Sequence, residues 1–148
     1  MQVRLALEDE EDLIVEMARQ AMATRPALVF DEARCRETFR DYITKASPTI
    51  WVAEDERGVA GALAADFYLH RAASGIFTTQ EVLFVKPERR GGRAAALLMK
   101  QLIDWSREIG ANEIIGGNDN GFNSDRTAKF LGKFGFERVG HAMRRALS

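Results

Sequence analysis

Two residue periods divide the chain. Apolar positions spaced three and four apart mark helices, and apolar positions two apart mark strands. Val3 to Leu7 alternates and predicts a first strand. An acidic run, Glu8 to Asp12, then precedes Leu13, Ile14, Met17, Ala18 and Ala21, which share one helical face. Acids in a first turn suit the positive end of a helix dipole. Pro26 ends that region, and a second helix is predicted from Asp31 to Lys45, with Cys35, Phe39 and Ile43 four apart. Ser47-Pro48 stops it. Three strands follow: Thr49–Ala53, Val59–Leu69 and Ile76–Val85, separated by turns at Asp55–Gly58 and Ala73–Gly75. Short turns between consecutive strands predict an antiparallel meander.

After Pro87 and Gly91-Gly92 comes a long helix with Leu98, Leu102, Trp105 and Ile109 in one stripe, closed by Gly110. Glu113–Ile115 reads as a short buried strand and residues 116–123 as a polar loop, with Asn123 or Ser124 capping the next helix. Thr127, Phe130, Leu131 and Phe134 mark that helix, and Phe136 to Leu147 is predicted as a last strand or strand pair. The predicted order is β-α-α-β-β-β-α-β-α-β. No linker or repeat interrupts it, so residues 1–148 read as a single domain of α+β class, a mixed α/β sandwich. A twisted, mostly antiparallel sheet with helices on both faces would bury all the stripes.

Composition narrows the class. Apolar residues make up 46% and charged residues 29% of the 148, as in an ordinary globular protein. The single cysteine, Cys35, cannot form an internal disulfide. No apolar run reaches the ~20 residues a membrane helix needs, and the N-terminus lacks a signal-peptide pattern. These features predict a cytoplasmic protein without a membrane partner. His70 and His141 with one cysteine give no metal site of recognised spacing. Net charge is −1, but residues 1–74 hold 9 basic against 14 acidic residues and residues 75–148 hold 12 against 8. The densest basic cluster is Lys86, Arg89, Arg90 and Arg93. Such a cluster in a neutral chain suggests one bound anion and no nucleic-acid surface. A nucleic-acid module would need interleaved aromatics and overall positive charge, and the chain has neither.

That cluster lies where chemistry is expected. In residues 81–98, EVLFVKPERRGGRAAALL, a buried strand runs into a turn with two glycines and three arginines, and a helix starts directly after it. The first turn of a helix offers unpaired N–H groups and a positive dipole end. Glycines admit a phosphate close to the backbone, and arginines neutralise it. Ala94, Ala95 and Ala96 leave room. The segment reads as a phosphate or pyrophosphate site. It has neither the GxxxxGK[ST] of a P-loop nor the GxGxxG of a dinucleotide fold.

Here the sequence resembles the GNAT superfamily of N-acyltransferases. The resemblance rests on Val85-Lys86-Pro87, on Arg90-Gly91-Gly92-Arg93-Ala94-Ala95 before Leu97-Leu98, and on the tail Lys133 to Met143. It implies the acyl-CoA N-acyltransferase fold and acetyl transfer from acetyl-CoA to a primary amine of a small molecule or peptide. It further implies that Leu83, Phe84 and Val85 line the pantetheine arm, with an N–H near Leu83 receiving the acyl carbonyl. Arg90, Gly91, Gly92, Arg93, Ala94 and Ala95 would hold the pyrophosphate, and Ser124 would lie near the cofactor. Two departures stand out. The family's middle glycine falls at Arg93, and Leu131 stands where many members carry a tyrosine proposed as general acid.

The amine must lose a proton, and Glu81 is the candidate base. A regular strand would set it on the face of Leu83 and Val85, where desolvation would favour its neutral form. Phe30, Tyr68, His70 and Asn118 are candidates to border the acceptor. A homodimer is common for the fold. The first alternative, kept open by Leu131, is an acyl-CoA-binding regulator without catalysis; the second, less favoured, is a nucleic-acid-binding module resting on Arg89, Arg90, Arg93, Arg138, Arg144 and Arg145.

Overall fold

A computed structural model describes residues 1–25, 27–45, 48–117 and 124–147. The elements are β1 (Gln2–Leu5), α1 (Glu11–Met22), α2 (Glu32–Thr44), β2 (Ile50–Asp55), β3 (Gly58–Leu69), β4 (Ile76–Val85), α3 (Ala94–Glu108), β5 (Glu113–Ile115) and α4 (Ser124–Gly132). The five strands form one sheet in the order β1-β2-β3-β4-β5. All neighbours are antiparallel except β4 and β5, which run parallel across the α3 crossover. The mixed sheet with helices on both faces is the α+β architecture expected from the sequence.

Strand alternation sorts the core into two layers. Trp51, Ala53, Leu63 and Ala65 face α3 and pack with Leu98, Met99, Leu102 and Trp105, joined by Leu131 of α4. Val52, Ala62 and Phe84 face the other way, against Met17 of α1. Thr78 of β4 and Ser106 of α3 share a buried hydroxyl–hydroxyl hydrogen bond of 2.7 Å, which ties the crossover helix to the strand. Gly61 lets β3 approach β4 closely, since a Cβ there would meet the Phe84 carbonyl oxygen at 2.7 Å.

Two boundaries differ from the sequence expectation. The first strand ends at Leu5, because the Leu7 N–H is taken by the Glu10 carboxylate (2.8 Å) and the chain turns into a helix. The capping position at Asn123 lies outside the described residues. The predicted last strand is absent from 136–147. Phe136 donates its N–H to Leu131 (3.3 Å) and packs on the α3-side core, but beyond it Val139, Met143 and Leu147 are exposed. β5 is three residues long, so it offers little edge to pair with a segment of that length.

Candidate active site

β4 carries the site, because it loses both its regularity and its outer neighbour midway. β5 pairs only with Phe77, Thr78 and Thr79. From Gln80 to Val85 the outer edge of β4 has no strand beside it among the described residues. Lys86 donates its N–H to Ala60 of β3 (2.9 Å). N–H directions alternate along a strand, so those of Leu83 and Val85 point to the open edge.

At Val85 the strand stops. Pro87 opens a short 3-10 turn through Arg89, then Gly91 takes the left-handed conformation (φ +82°) that glycine adopts freely. Arg93 is the N-cap residue of α3, but its side chain makes no capping bond. The first backbone N–H to close the helix is that of Leu97, to Arg93 O at 3.0 Å. The N–H groups of Ala94, Ala95 and Ala96 find no acceptor among the described residues, and no acidic side chain occupies the first turn. Such an end attracts an anion.

The three arginines of the turn separate into two roles. Arg90 and Arg93 are exposed, with Arg90 Nε 3.4 Å from Val85 O. The Arg89 side chain is 8% exposed and paired with Asp55 at the β2–β3 turn, and its hydrogen bond holds the Asp55 carboxyl below its ordinary range. Arg89 therefore braces the turn from behind. Phe84 also differs in part from its expected role. Its side chain is in the α1-side core and its N–H and C=O face β3, so it offers no group to the open edge. Leu83 and Val85 lean on the α3-side core. Ala94 is buried there too, so of its groups only the backbone faces the turn. Ser124 opens α4 and is exposed. Asn118 lies outside the described residues.

Glu81 is corrected most clearly. Ala64 stands opposite Val82 and Ala65 opposite Gln80, so Glu81 is an extra residue in β4 with no cross-strand partner. This bulge reverses the alternation. Glu81 thus leaves the face of Leu83 and Val85 and joins that of Thr79, and it is exposed, without the apolar surroundings expected for it. Its Oε1 accepts from Thr79 Oγ1 (2.5 Å) and from the Tyr68 hydroxyl (3.3 Å).

The sequence missed the rest of this cluster. Asp66 Oδ2 accepts from the Tyr42 hydroxyl and from Lys45 Nζ, both at 3.0 Å, and Oδ1 accepts from Phe67 N (2.8 Å). Burial first, then the Asp66 charge, pushes the Tyr42 phenol well above its ordinary pKa. Burial, Glu81 and Asp66 push Tyr68 up in the same way. The available signal was Asp66 itself, a lone charge inside the apolar run Ala60–Leu69.

The other acceptor candidates sit elsewhere. His70 packs on Phe77 (5.0 Å between centroids) and its Nε2 is 2.7 Å from Asn112 Oδ1, a tie between the β3–β4 turn and the entry to β5. Phe30 lies under the Arg19 guanidinium at 4.7 Å. Leu131 is buried against α3, with no titratable group to offer. No cluster able to hold a metal ion occurs among the described residues, and no helix among them is long and apolar enough to cross a membrane.

No curated protein matches the sequence. Solved structures do match in fold. A transcriptional regulator from Bacillus halodurans C-125 superimposes with a TM-score of 0.82 at 17% identity, over 99% of each chain. A predicted acetyltransferase from Clostridium acetobutylicum, solved with acetyl-CoA, gives 0.74 at 16% identity, over 97% of this chain and 94% of the other. A Trypanosoma brucei acetyltransferase gives 0.74 at 18% identity, over 99% of each. Residues 46–138 match the family model described as acetyltransferase (GNAT) domain, so the chain belongs to the GNAT acetyltransferase family and has its fold.

Proposed function

We propose that the protein moves an acetyl group from acetyl-CoA to a primary amine by direct attack, with both substrates bound together. The observation that carries this reading is the continuity of the open β4 edge with the uncapped start of α3. A pantetheine arm is an amide chain and can pair with the outward N–H of Val85 as an added strand would. The pyrophosphate then reaches Gly91 to Ala95, where the helix N–H groups, Arg90 and Arg93 meet it. Acetyl-CoA supplies an activated thioester. The Leu83 N–H, aimed at the open edge, is placed to donate to the acyl oxygen as charge develops there. Glu81 takes the proton from the acceptor ammonium, and its exposure lets an amine arrive from solvent. With one cysteine and no need of a disulfide, the reaction suits the cytoplasm.

The test is a panel of primary amines with acetyl-CoA, read by release of the CoA thiol. Turnover of at least one amine is expected, with Glu81→Gln lowering kcat roughly tenfold or more at unchanged acetyl-CoA affinity. An unchanged kcat would remove Glu81 from the mechanism. A second reading, an acyl-CoA-binding regulator, draws support from the buried Leu131 in place of a proton donor. It predicts tight binding of acetyl-CoA with no turnover on any amine.

A further inference from the structure

We propose that Tyr68 is a positioning residue for the base: its hydroxyl, set between Asp66 and Glu81, fixes Glu81 Oε1 and leaves Oε2 turned to the acceptor amine. The inference rests on the acyl-transfer reading and adds to it.

An exposed glutamate on a bulge would ordinarily sweep several rotamers, at an entropic cost to each reactive encounter. Glu81 is held at one oxygen by hydroxyls from two strands, Thr79 Oγ1 of β4 and Tyr68 of β3. Oε2 has no hydrogen-bond partner among the described residues. The Tyr68 ring is itself braced, with its centroid 5.6 Å from that of Phe77. A phenol has one proton to give. The Tyr68 hydroxyl gives it to Glu81 Oε1 (3.3 Å), while Asp66 receives Tyr42, Lys45 and the Phe67 N–H. The charged and titratable groups around Tyr68 are therefore Glu81 of β4, Asp66 of β3, and Tyr42 and Lys45 of α2. Burial and the two carboxylates keep the phenol protonated through neutral pH, as a donor must be.

The chain has only two tyrosines, Tyr42 and Tyr68, and both lie in this cluster. Tyrosinate absorbance against pH therefore reads the site directly, and Tyr68→Phe identifies which part of the signal belongs to Tyr68. In Glu81→Gln the Tyr68 ionisation should move to lower pH, since a negative neighbour and its hydrogen bond are lost. An unmoved Tyr68 titration would overturn the contact. Tyr68→Phe keeps the ring and its packing, and should lower kcat about fivefold with the KM for acetyl-CoA unchanged. In a Glu81→Gln background the same change should cost nothing more, because a residue that acts through Glu81 has nothing left to position. Additive losses in the double variant would refute the proposal. A wild-type protein that turns over no amine would instead refute the acyl-transfer reading, while the absorbance titration still decides the contact.

Discussion

Replacing Arg90 and Arg93 by alanine removes two guanidinium groups from the turn and nothing from the core, since both are exposed. A guanidinium about 4 Å from a phosphate at an effective dielectric near 20 gains about 4 kcal/mol per unit charge. Screening and the ordering of a long side chain, which costs up to about 2 kcal/mol, cut this to about 1–1.5 kcal/mol each. That is close to tenfold in Kd per arginine. The two would share one pyrophosphate, so the double variant should lose about 30- to 100-fold, less than or equal to the sum. Binding should survive, because the N–H groups of Ala94 to Ala96 and the helix dipole remain.

Calorimetry with acetyl-CoA and with desulfo-CoA, at low and at high salt, measures this directly. Wild-type affinity should fall as salt rises, and the double variant should respond less. Arg89→Ala is the internal control. Its guanidinium is buried against Asp55, so its loss should lower Tm and leave the Asp55 carboxylate unpaired. Unchanged affinity in the double variant at low salt would refute the assignment of the turn. So would an Arg89→Ala protein with wild-type Tm and weakened binding, because the buried arginine would then be a ligand and the exposed pair would not.

Two further predictions concern stability. In Gly61→Ala the new Cβ would stand 2.7 Å from Phe84 O and 3.2 Å from Val85 Cγ2. Backbone held in a ladder cannot move aside, so a loss of about 2–3 kcal/mol is expected, a fall in Tm of about 5–10 °C by thermal denaturation. An unshifted Tm would show that β3 and β4 can part at no cost. Arg4 bonds both Glu10 and Glu54, and these hydrogen bonds hold Glu10 below its ordinary value and Glu54 down to about 2 from 4.5. A depressed carboxylate stabilises the fold above its unfolded pKa and stops doing so as pH falls through the folded one. Wild-type stability should therefore drop between pH 4.5 and about 2, and Arg4→Met should flatten that drop in an acid denaturation series. An equally steep drop in the variant would place the acid sensitivity elsewhere.

Where the sequence proved readable, a single element sufficed to determine its own structure. The stripe of Leu98, Leu102 and Trp105 lies wholly in the core, because the helix period sets the face whatever it packs on. The meander β2-β3-β4 follows from alternation and short turns, and Gly58 takes the positive φ its hairpin requires. The turn from β4 into α3 is equally local, a proline, two glycines and a helix start within eight residues. Phe136 to Leu147 alternates as a strand does, yet a strand also needs an edge, and pattern alone does not supply one. Arg89 and Arg90 are neighbours with opposite roles, because Asp55 sits 34 residues away and its position is a fact of the folded sheet.

Glu81 shows the limit most sharply. Counting by twos from Leu83 puts it on the α3 side, and the count is sound for any strand in step with its neighbour. β3 and β4 fall out of step at Ala64 and Ala65, and the register is a property of the pair that neither strand displays alone. The slip gives Glu81 and Leu83, two residues apart, different surroundings. Past the bulge, Leu83 packs its half-buried side chain against the α3-side core, and its N–H faces the open edge. At the bulge, Glu81 is released from that alternation and turned to the face where Tyr68 and Thr79 hold it. A regular strand in step with Leu83 would have set the carboxylate toward α3, away from Tyr68.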